Sequence, residues 1–459
     1  MSQFSETSLY RAPDSETATP SSLRFPQELC DEIMARVSVE FDPDIESDRE
    51  GQEPYLTLRQ CALVCSAWLP SARSHIFRVV RLLTYDATDR LLEVLTLNTT
   101  LAQYMTCLML AAKWIADWDV VAGLAPKLTA VKELYLWAES LLDGHRGSGR
   151  DFEAITNLTS ALSPVLRSPK LAVMYLTGFS FASKDEFRRF ISFPSSLDIL
   201  AIKDIHLCNT ISEADPGYAQ RQSRIQISDL GLPWYDARLA SWLLHPSFPI
   251  AVALLTRISI RVDDVGDMRD VLPLLNEVGS SLKEFELYLH GCNFRKHRLP
   301  SIMDAMPTLP NTNLEHLTIR GLDRMNPFIV VHTERFDGAE FVQALLSRLS
   351  APQNLQRLTI REFIGTRRYD AVEELPKLEW HNWQAVDDLL SKDSFTNVRY
   401  LDFFAEINRL ELGRDVPVVR SYITPQFSAF RGRRGSHSHG SKLPGPEREP
   451  SDAPNLVSI

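Results

Sequence analysis

No window of this chain approaches the ~18 uninterrupted apolar side chains of a membrane-spanning helix, and its first thirty residues lack a basic start followed by an apolar run. No membrane contact is expected, and the chain is placed in the cytoplasm, the nucleus or both. Cysteine is scarce: six residues, at positions 30, 61, 65, 107, 208 and 292, do not make a disulfide framework in 459 residues, which agrees with a reducing compartment. They are read as small buried hydrophobes. A basic excess is also missing, with 49 Lys plus Arg against 59 Asp plus Glu and a net charge of -10. That leaves no electrostatic footprint for nucleic acid, which is not expected as a partner. Finally, GxSxG, HExxH and GxxxxGK followed by Ser or Thr are all absent. The chain is therefore read as a non-enzyme with no catalytic residues, no cofactor and no metal.

What is present is the composition of a folded, soluble protein, 44% apolar and 24% charged, long enough for two or three domains. Residues 1–20 are Ser, Thr, Pro and Glu with scattered apolar residues and are expected to form a disordered leader. Residues 426–459 are expected to be a disordered tail, carrying Arg431, Arg433, Arg434, His437 and His439 in a solvated basic cluster. The stretch 40–54, EFDPDIESDREGQEP, reads as an acidic insert inside a structured module spanning 21–77.

That module has helical periodicity. Pro26 suits the first position of a helix, and Leu29, Ile33 and Val37 recur every four residues. Beyond the insert, Leu58, Cys61, Ala62, Cys65 and Leu69 form a second apolar face, with Val64 and Trp68 on a neighbouring stripe. A third short helix is expected from about Pro70 to Phe77. So small a module cannot bury all these faces internally.

From 78 to 425 short apolar strands alternate with helical stretches. The strands share a pattern, apolar at relative positions 1, 4 and 6, in copies beginning at Phe77, Met105, Val131, Leu171, Leu197, Leu255, Leu282, Leu314, Leu355 and Val398. A weaker copy is placed at 222. Such matches are common in an apolar chain, so two further features carry the reading. The residue before position 1 is Ser or Asn in five copies (Ser196, Ser281, Asn313, Asn354, Asn397), as a recurring turn would require. The intervals, 25 to 43 residues, leave room for one helix each. Ser183 with Glu186 forms a capping box ahead of Phe187 and Phe190, and further helices are expected at 268–278, 338–349 and 383–390. The expected fold class is α+β, with a three-helix N-terminal module followed by an irregular α/β solenoid built on a parallel sheet. Strand positions 2, 3 and 5 are expected to face solvent together, with Tyr135, Tyr175, Lys203, Glu286, Tyr288, Thr318, Arg320, Thr359, Arg361 and Phe404 at or near them.

The N-terminal residues carry a resemblance. FPQELCDEIMARV at 25–37 followed by LRQCALVCSAWLPSARSHIF at 58–77 resembles the F-box, a helical module that begins Leu-Pro-x-Glu-Leu and ends in a Leu-Val-Cys-x-x-Trp helix. Phe25 stands where Leu is usual, and the acidic insert lengthens the connection after the first helix, at a closure cost that grows slowly with length. The whole chain resembles the F-box proteins of mushroom-forming fungi with a degenerate leucine-rich-repeat body. The repeats lack a regular Asn at position 9, where Phe179, Ile205, Leu322 and Phe363 stand instead.

The resemblance implies a substrate-recruiting subunit of a Skp-cullin-F-box ubiquitin ligase acting in ubiquitin-dependent degradation. Its implied partners are a Skp-type adaptor, through it a cullin, and a protein substrate held by the repeats, whose contact residues the sequence does not mark. Carried over to the adaptor contact are Phe25, Pro26, Glu28, Leu29, Ile33, Leu58, Val64, Cys65 and Trp68. The competing reading is a repeat-based interaction scaffold outside any ligase, its N-terminal helices serving as a cap.

Other signals read as plain structure. Cys61 and Cys65 beside His75 lack a CxxC pair and a second ligand cluster, so buried thiols are favoured over a metal. GHRGSGR at 144–150 is a flexible loop rather than a phosphate cradle, and Asn98 and Asn157 head glycosylation-like triplets without a secretory signal.

Overall fold

The computed structural model describes residues 27–37, 52–64, 68–138, 150–207, 225–234, 243–289, 308–323, 338–364, 383–407 and 455–458, apart from scattered stretches of one or two residues inside those ranges. The architecture is α+β with a large parallel sheet. It divides into two compact units at Val79/Val80.

Among the described residues the first unit holds three helices, α1 (Gln27–Val37), α2 (Gln52–Val64) and α3 (Leu69–Ile76). α2 starts within the stretch expected as acidic insert, with Pro54 in its first turn, where the missing N–H leaves no hydrogen bond unmade. Met34, Leu58 and Ala72, one from each helix, form the buried centre, with Cys61, Ala62, Trp68 and Ile76 packed against it. Ser71 Oγ donates to Asp31 Oδ1, tying α3 to α1.

The second unit is organised by one sheet. Its strands are β1 (Val79–Leu82), β2 (Cys107–Ala111), β3 (Glu133–Trp137), β4 (Val173–Thr177), β6 (Ile199–Lys203), β8 (Asp229–Trp234), β9 (Arg257–Val262), β10 (Glu284–Leu289), β11 (His316–Asp323), β12 (Arg357–Ile364), β13 (Tyr400–Ile407) and β14 (Asn455–Ser458). They lie side by side in chain order. From β2 to β13 each pair is parallel, and the crossovers carry helices such as Arg150–Ala161, Lys184–Ile191, Val265–Val278, Gly338–Leu346 and Gln384–Leu390. Two short strands, β5 (Ser180–Phe181) and β7 (His206–Leu207), pair with each other just after β4 and β6. β14 pairs antiparallel with β13 and lies within the stretch expected as a tail.

The sheet register follows the apolar pattern. Leu108, Leu134, Met174, Leu200, Leu230, Ile258, Phe285, Leu317 and Leu358, all position 4, are buried and align across successive strands. Position 6, from Leu82 to Phe403, is equally buried. One copy must be moved: the weak copy at 222 is out of phase, because Leu230 pairs with Leu200 and Ile258. Ile227, Leu230 and Leu232 therefore occupy positions 1, 4 and 6. Two consecutive apolar pairs spaced by two, Ile225/Ile227 and Leu230/Leu232, made the phase ambiguous, and only cross-strand pairing separates them.

Two repeated devices hold each copy to the one before. The carbonyl of position 2 accepts N–H bonds from positions 2 and 3 of the next strand, as in Lys132 and Glu133 to Thr106, Lys283 and Glu284 to Thr256, and Arg399 and Tyr400 to Gln356. The Ser and Asn residues read as turn formers have a second role. Ser196, Ser281, Asn313, Asn354 and Asn397 each donate to the backbone carbonyl two residues before position 1 of an earlier copy, at Pro169, Ala253, Ser280, Thr312 and Gln353. A buried Asn311 adds a third kind of link, donating to Leu275 and Gly279 at the end of helix Val265–Val278.

At the other end of the strands, glycine is required twice. Gly178 (φ 75°) and Gly321 (φ 72°) both stand at position 8, and a Cβ there would lie 2.1 Å from the Ala138 carbonyl oxygen or 2.0 Å from that of Leu289. Each turns the chain so that the next residue, Phe179 or Leu322, is buried. In β11 this is a bulge: the register slips between Arg320 and Leu322, and Leu322 takes the place opposite Glu362. Ser183 caps helix Lys184–Ile191 as expected, accepting from Glu186 N at 3.1 Å.

Two stability predictions follow from this register. Leu358→Ala should cost about 2–5 kcal/mol and Gln356→Ala, exposed through its side chain, well under 1. Equal losses in chemical denaturation would disprove the register. Gly321→Ala should destabilise by more than the roughly 1–3 kcal/mol of backbone strain, because the clash with the Leu289 carbonyl adds to it, whereas Gly123→Ala, with nothing within 4 Å of the added carbon, should be neutral or stabilising.

Candidate functional site

Two surfaces compete as functional sites, one on each unit. On the helical unit the sequence-derived residues divide into three groups. Leu58 is buried and Trp68 packs against the same centre, so both build the unit. Glu28, Leu29 and Val64 are exposed and Ile33 is half-buried. Phe25, Pro26 and Cys65 lie outside the described residues. Sequence reasoning passed over Leu56 and Leu63 as site residues, and they are 54% and 86% exposed, beside Val64 at 64% and Leu29 at 41%. Their spacing of seven along α2 is the signal that would have found them, since Leu58, Cys61 and Ala62 already account for its inward side. His75, half-buried on α3, has its pKa lowered, first by burial and then by Arg78, against an opposing pull from Asp31.

On the larger unit, side chains alternate along each strand, so the surface opposite the 4 and 6 core positions is built from positions 3, 5 and 7. This corrects the expectation of positions 2, 3 and 5. Lys203, Tyr288, Arg320, Arg361 and Phe404 belong to position 7, and Tyr135, Tyr175, Glu286, Thr318 and Thr359 to position 5. The surface is chemically divided. Toward β3 and β4 it is aromatic: Tyr135 stacks on Tyr175 with ring centroids 4.4 Å apart and planes 5° from parallel, and Trp137 adjoins at 6.3 Å. Burial, reinforced by Tyr175, raises the Tyr135 phenol pKa far above its usual value, so that hydroxyl stays protonated.

From β8 to β13 the same surface is charged. Along position 3, Arg257 Nη1 donates to Asp229 Oδ2 at 3.0 Å and its Nε to Glu284 Oε2 at 2.5 Å, while His316 Nδ1 lies 3.6 Å from Glu284 Oε1. Further along, Arg357 Nε is 3.2 Å from Asp402 Oδ2 and its guanidinium lies 4.8 Å from the Tyr400 ring centroid. A cavity of about 310 Å³ opens at the start of these strands, lined by Asp198, Ser228, Asp229, Thr256, Arg257 and Lys283 among others. The two carboxylates sharing Arg257 behave oppositely. Desolvation raises Asp229, more than the Arg257 charge lowers it, whereas the hydrogen bond from Arg257 lowers Glu284. Sequence alone did not mark this network, because Arg257 stands 28 residues from Asp229 and 27 from Glu284 and meets them only once the parallel register is known.

No group of three or more His, Cys, Asp or Glu side chains fit to hold a metal occurs among the described residues. Cys30 and Cys107 are buried thiols and Cys61 is a half-buried one. Asn98 spends its side chain locally, accepting from Thr100 N and Oγ1 at the start of a short turn. No helix among the described residues is long and apolar enough to cross a membrane.

The signs of the two shifts make Arg257 testable by pH. A lowered Glu284 contributes stability above its unfolded pKa that is lost as pH falls through its folded value, and a raised Asp229 loses stability as pH rises. Arg257→Gln removes the cause of the first and leaves the second uncompensated. Its melting temperature should lie close to wild type in acid and fall progressively behind as pH rises through the carboxylate range to neutrality. A deficit independent of pH would mean that Arg257 acts by packing alone.

No family model matches this chain, and no curated protein matches it either.

Proposed function

We propose that this chain is the substrate-recruiting F-box subunit of a Skp-cullin-F-box ubiquitin ligase. Its helical unit would dock a Skp-type adaptor, and its larger unit, read as an irregular leucine-rich-repeat-like solenoid, would hold a protein substrate. The observation that carries the reading is the amount of large apolar surface the helical unit leaves in water. Leu29, Leu56, Leu63 and Val64 remain exposed although Met34, Leu58 and Ala72 already close its centre. Such residues on a small rigid module suit a desolvated partner groove. The chain-order parallel sheet and its alternating surface support the repeat reading, because a row of identical supersecondary units generates such a surface without further design. Catalysis would then reside in the partners, and this chain would act by raising the local concentration of substrate near the conjugating enzyme.

The adaptor contact narrows to Glu28, Leu29, Ile33 and Val64, with Leu56 and Leu63 added and with Phe25, Pro26 and Cys65 retained from the resemblance. Leu58 and Trp68 act through folding, and a variant of either would lose the adaptor by unfolding. The deciding experiment is affinity purification of the full chain with the adaptor and a cullin, comparing wild type with Leu29→Asp, Val64→Asp. Both substitutions fall on exposed side chains, so circular dichroism should stay unchanged while adaptor and cullin are lost. A folded double variant that still retains both partners would remove the ligase reading and favour the scaffold.

A further inference from the structure

Four adjacent strands, β10 to β13, bring Tyr288, Arg320, Arg361 and Phe404 into one cross-strand row. The two arginines are direct partners across β11 and β12, so their backbones lie only ~4.8 Å apart. Like charges directly opposite one another destabilise a sheet. Glu286, two residues earlier on β10, forms an ion pair with Arg320, whose side chain is still 39% exposed. The Arg361 guanidinium lies over the Phe404 ring, 5.0 Å from its centroid, within cation–π range. Arg261 continues the row on β9, its guanidinium 6.0 Å from the Tyr288 ring centroid. Position 7 thus gathers three arginines and two rings and no carboxylate, in a protein whose net charge is -10.

We propose that Arg320 and Arg361 together bind one oxyanion, a carboxylate or a phosphate, carried on an extended segment of a partner protein, with Tyr288 and Phe404 flanking it. This rests on the reading that the sheet surface of the larger unit holds the substrate, and it names the substrate's chemistry. Two guanidinium forks at one strand spacing can each present paired N–H donors to a single oxyanion. The rings on either side offer apolar walls to the neighbouring residues of the segment. Glu286 and Asp402 occupy the adjoining row, Glu284 the row beyond it, and they repel a polyanion such as nucleic acid, so an isolated acid between apolar residues fits better than a run of phosphates.

Fluorescence anisotropy with the full chain tests this, using three labelled peptides that differ only at one central residue: glutamate, phosphoserine or glutamine, each flanked by leucine and tyrosine. The glutamate and phosphoserine peptides should bind and the glutamine peptide should be weaker by about tenfold or more. Arg320→Gln, Arg361→Gln should erase that difference, Arg361→Lys should reduce it, and Arg90→Gln, on an exposed helix, should leave it intact. Added salt should weaken only the charged peptides. If the double variant unfolds, the lysine variant and the salt series still decide. Equal binding of all three peptides, unchanged discrimination in the double variant, or tighter binding of a single-stranded oligonucleotide than of either charged peptide would overturn the proposal. Adaptor retention measured on the same preparations separates the two readings. Adaptor bound without peptide discrimination overturns this inference alone, and peptide discrimination without adaptor overturns the ligase reading alone.

Discussion

The larger unit depends on one backbone interaction repeated at every junction from β2 to β13. The position 2 carbonyl of each copy accepts two successive N–H groups from the next, at distances of 2.7–3.1 Å. Because donor and acceptor are both main chain, this interaction places no demand on the side chain at position 2, which is Thr, Lys, Ala, Asp, Ser, Glu or Gln without consequence for pairing. It does fix the phase. Once positions 2 and 3 are anchored, positions 4 and 6 must point into the core and 5 and 7 away from it, since a slip of one residue would expose a row of Leu and Ile. The chemistry of the outer surface is in that sense a by-product of how each strand begins.

Much of this was legible in the sequence, for a physical reason. Leu, Ile and Val at positions 1, 4 and 6 report burial directly, and Ser183 with Glu186 acts within one turn of chain, whereas the start of α2 at Gln52 was hidden by the acidic residues around it. Features that depend on pairing were not legible. The copy beginning at Ile227 was misplaced because Ile225 and Ile227 satisfy the spacing of positions 4 and 6 as well as Leu230 and Leu232 do. The Arg257 network joins three strands. Ser281, Asn313, Asn354 and Asn397 were recognisable as turn residues, but their bonds to an earlier copy cross 28 to 44 residues. The same division holds in the helical unit: periodicity found the face of α2 that carries Leu58, Cys61 and Ala62, but Leu58 was assigned to a partner although it is buried, and the exposed Leu56 and Leu63 were passed over.

The two ends of each strand are managed differently. The beginning is tied by hydrogen bonds that tolerate any side chain, and the end is released by glycine where the chain must turn, as at Gly178 and Gly321. The residue after each glycine is apolar and buried. Burial of Phe179 and Leu322 therefore contributes stability at this end, and the aromatic cluster of Phe181, Phe187 and Phe190 extends it.

The backbone anchoring of each strand also makes the sheet a ruler. Crossovers between anchored strands differ widely in length, yet neighbouring strands remain one strand spacing apart, ~4.8 Å. Lengthening a crossover changes the far side of the molecule and leaves the graduations of the outer surface untouched. Duplicating a whole copy would extend that surface by one graduation without altering the chemistry of the others. A protein built this way can change the chemistry of that surface by replacing side chains at positions 3, 5 and 7, while the measure on which they are mounted stays the same.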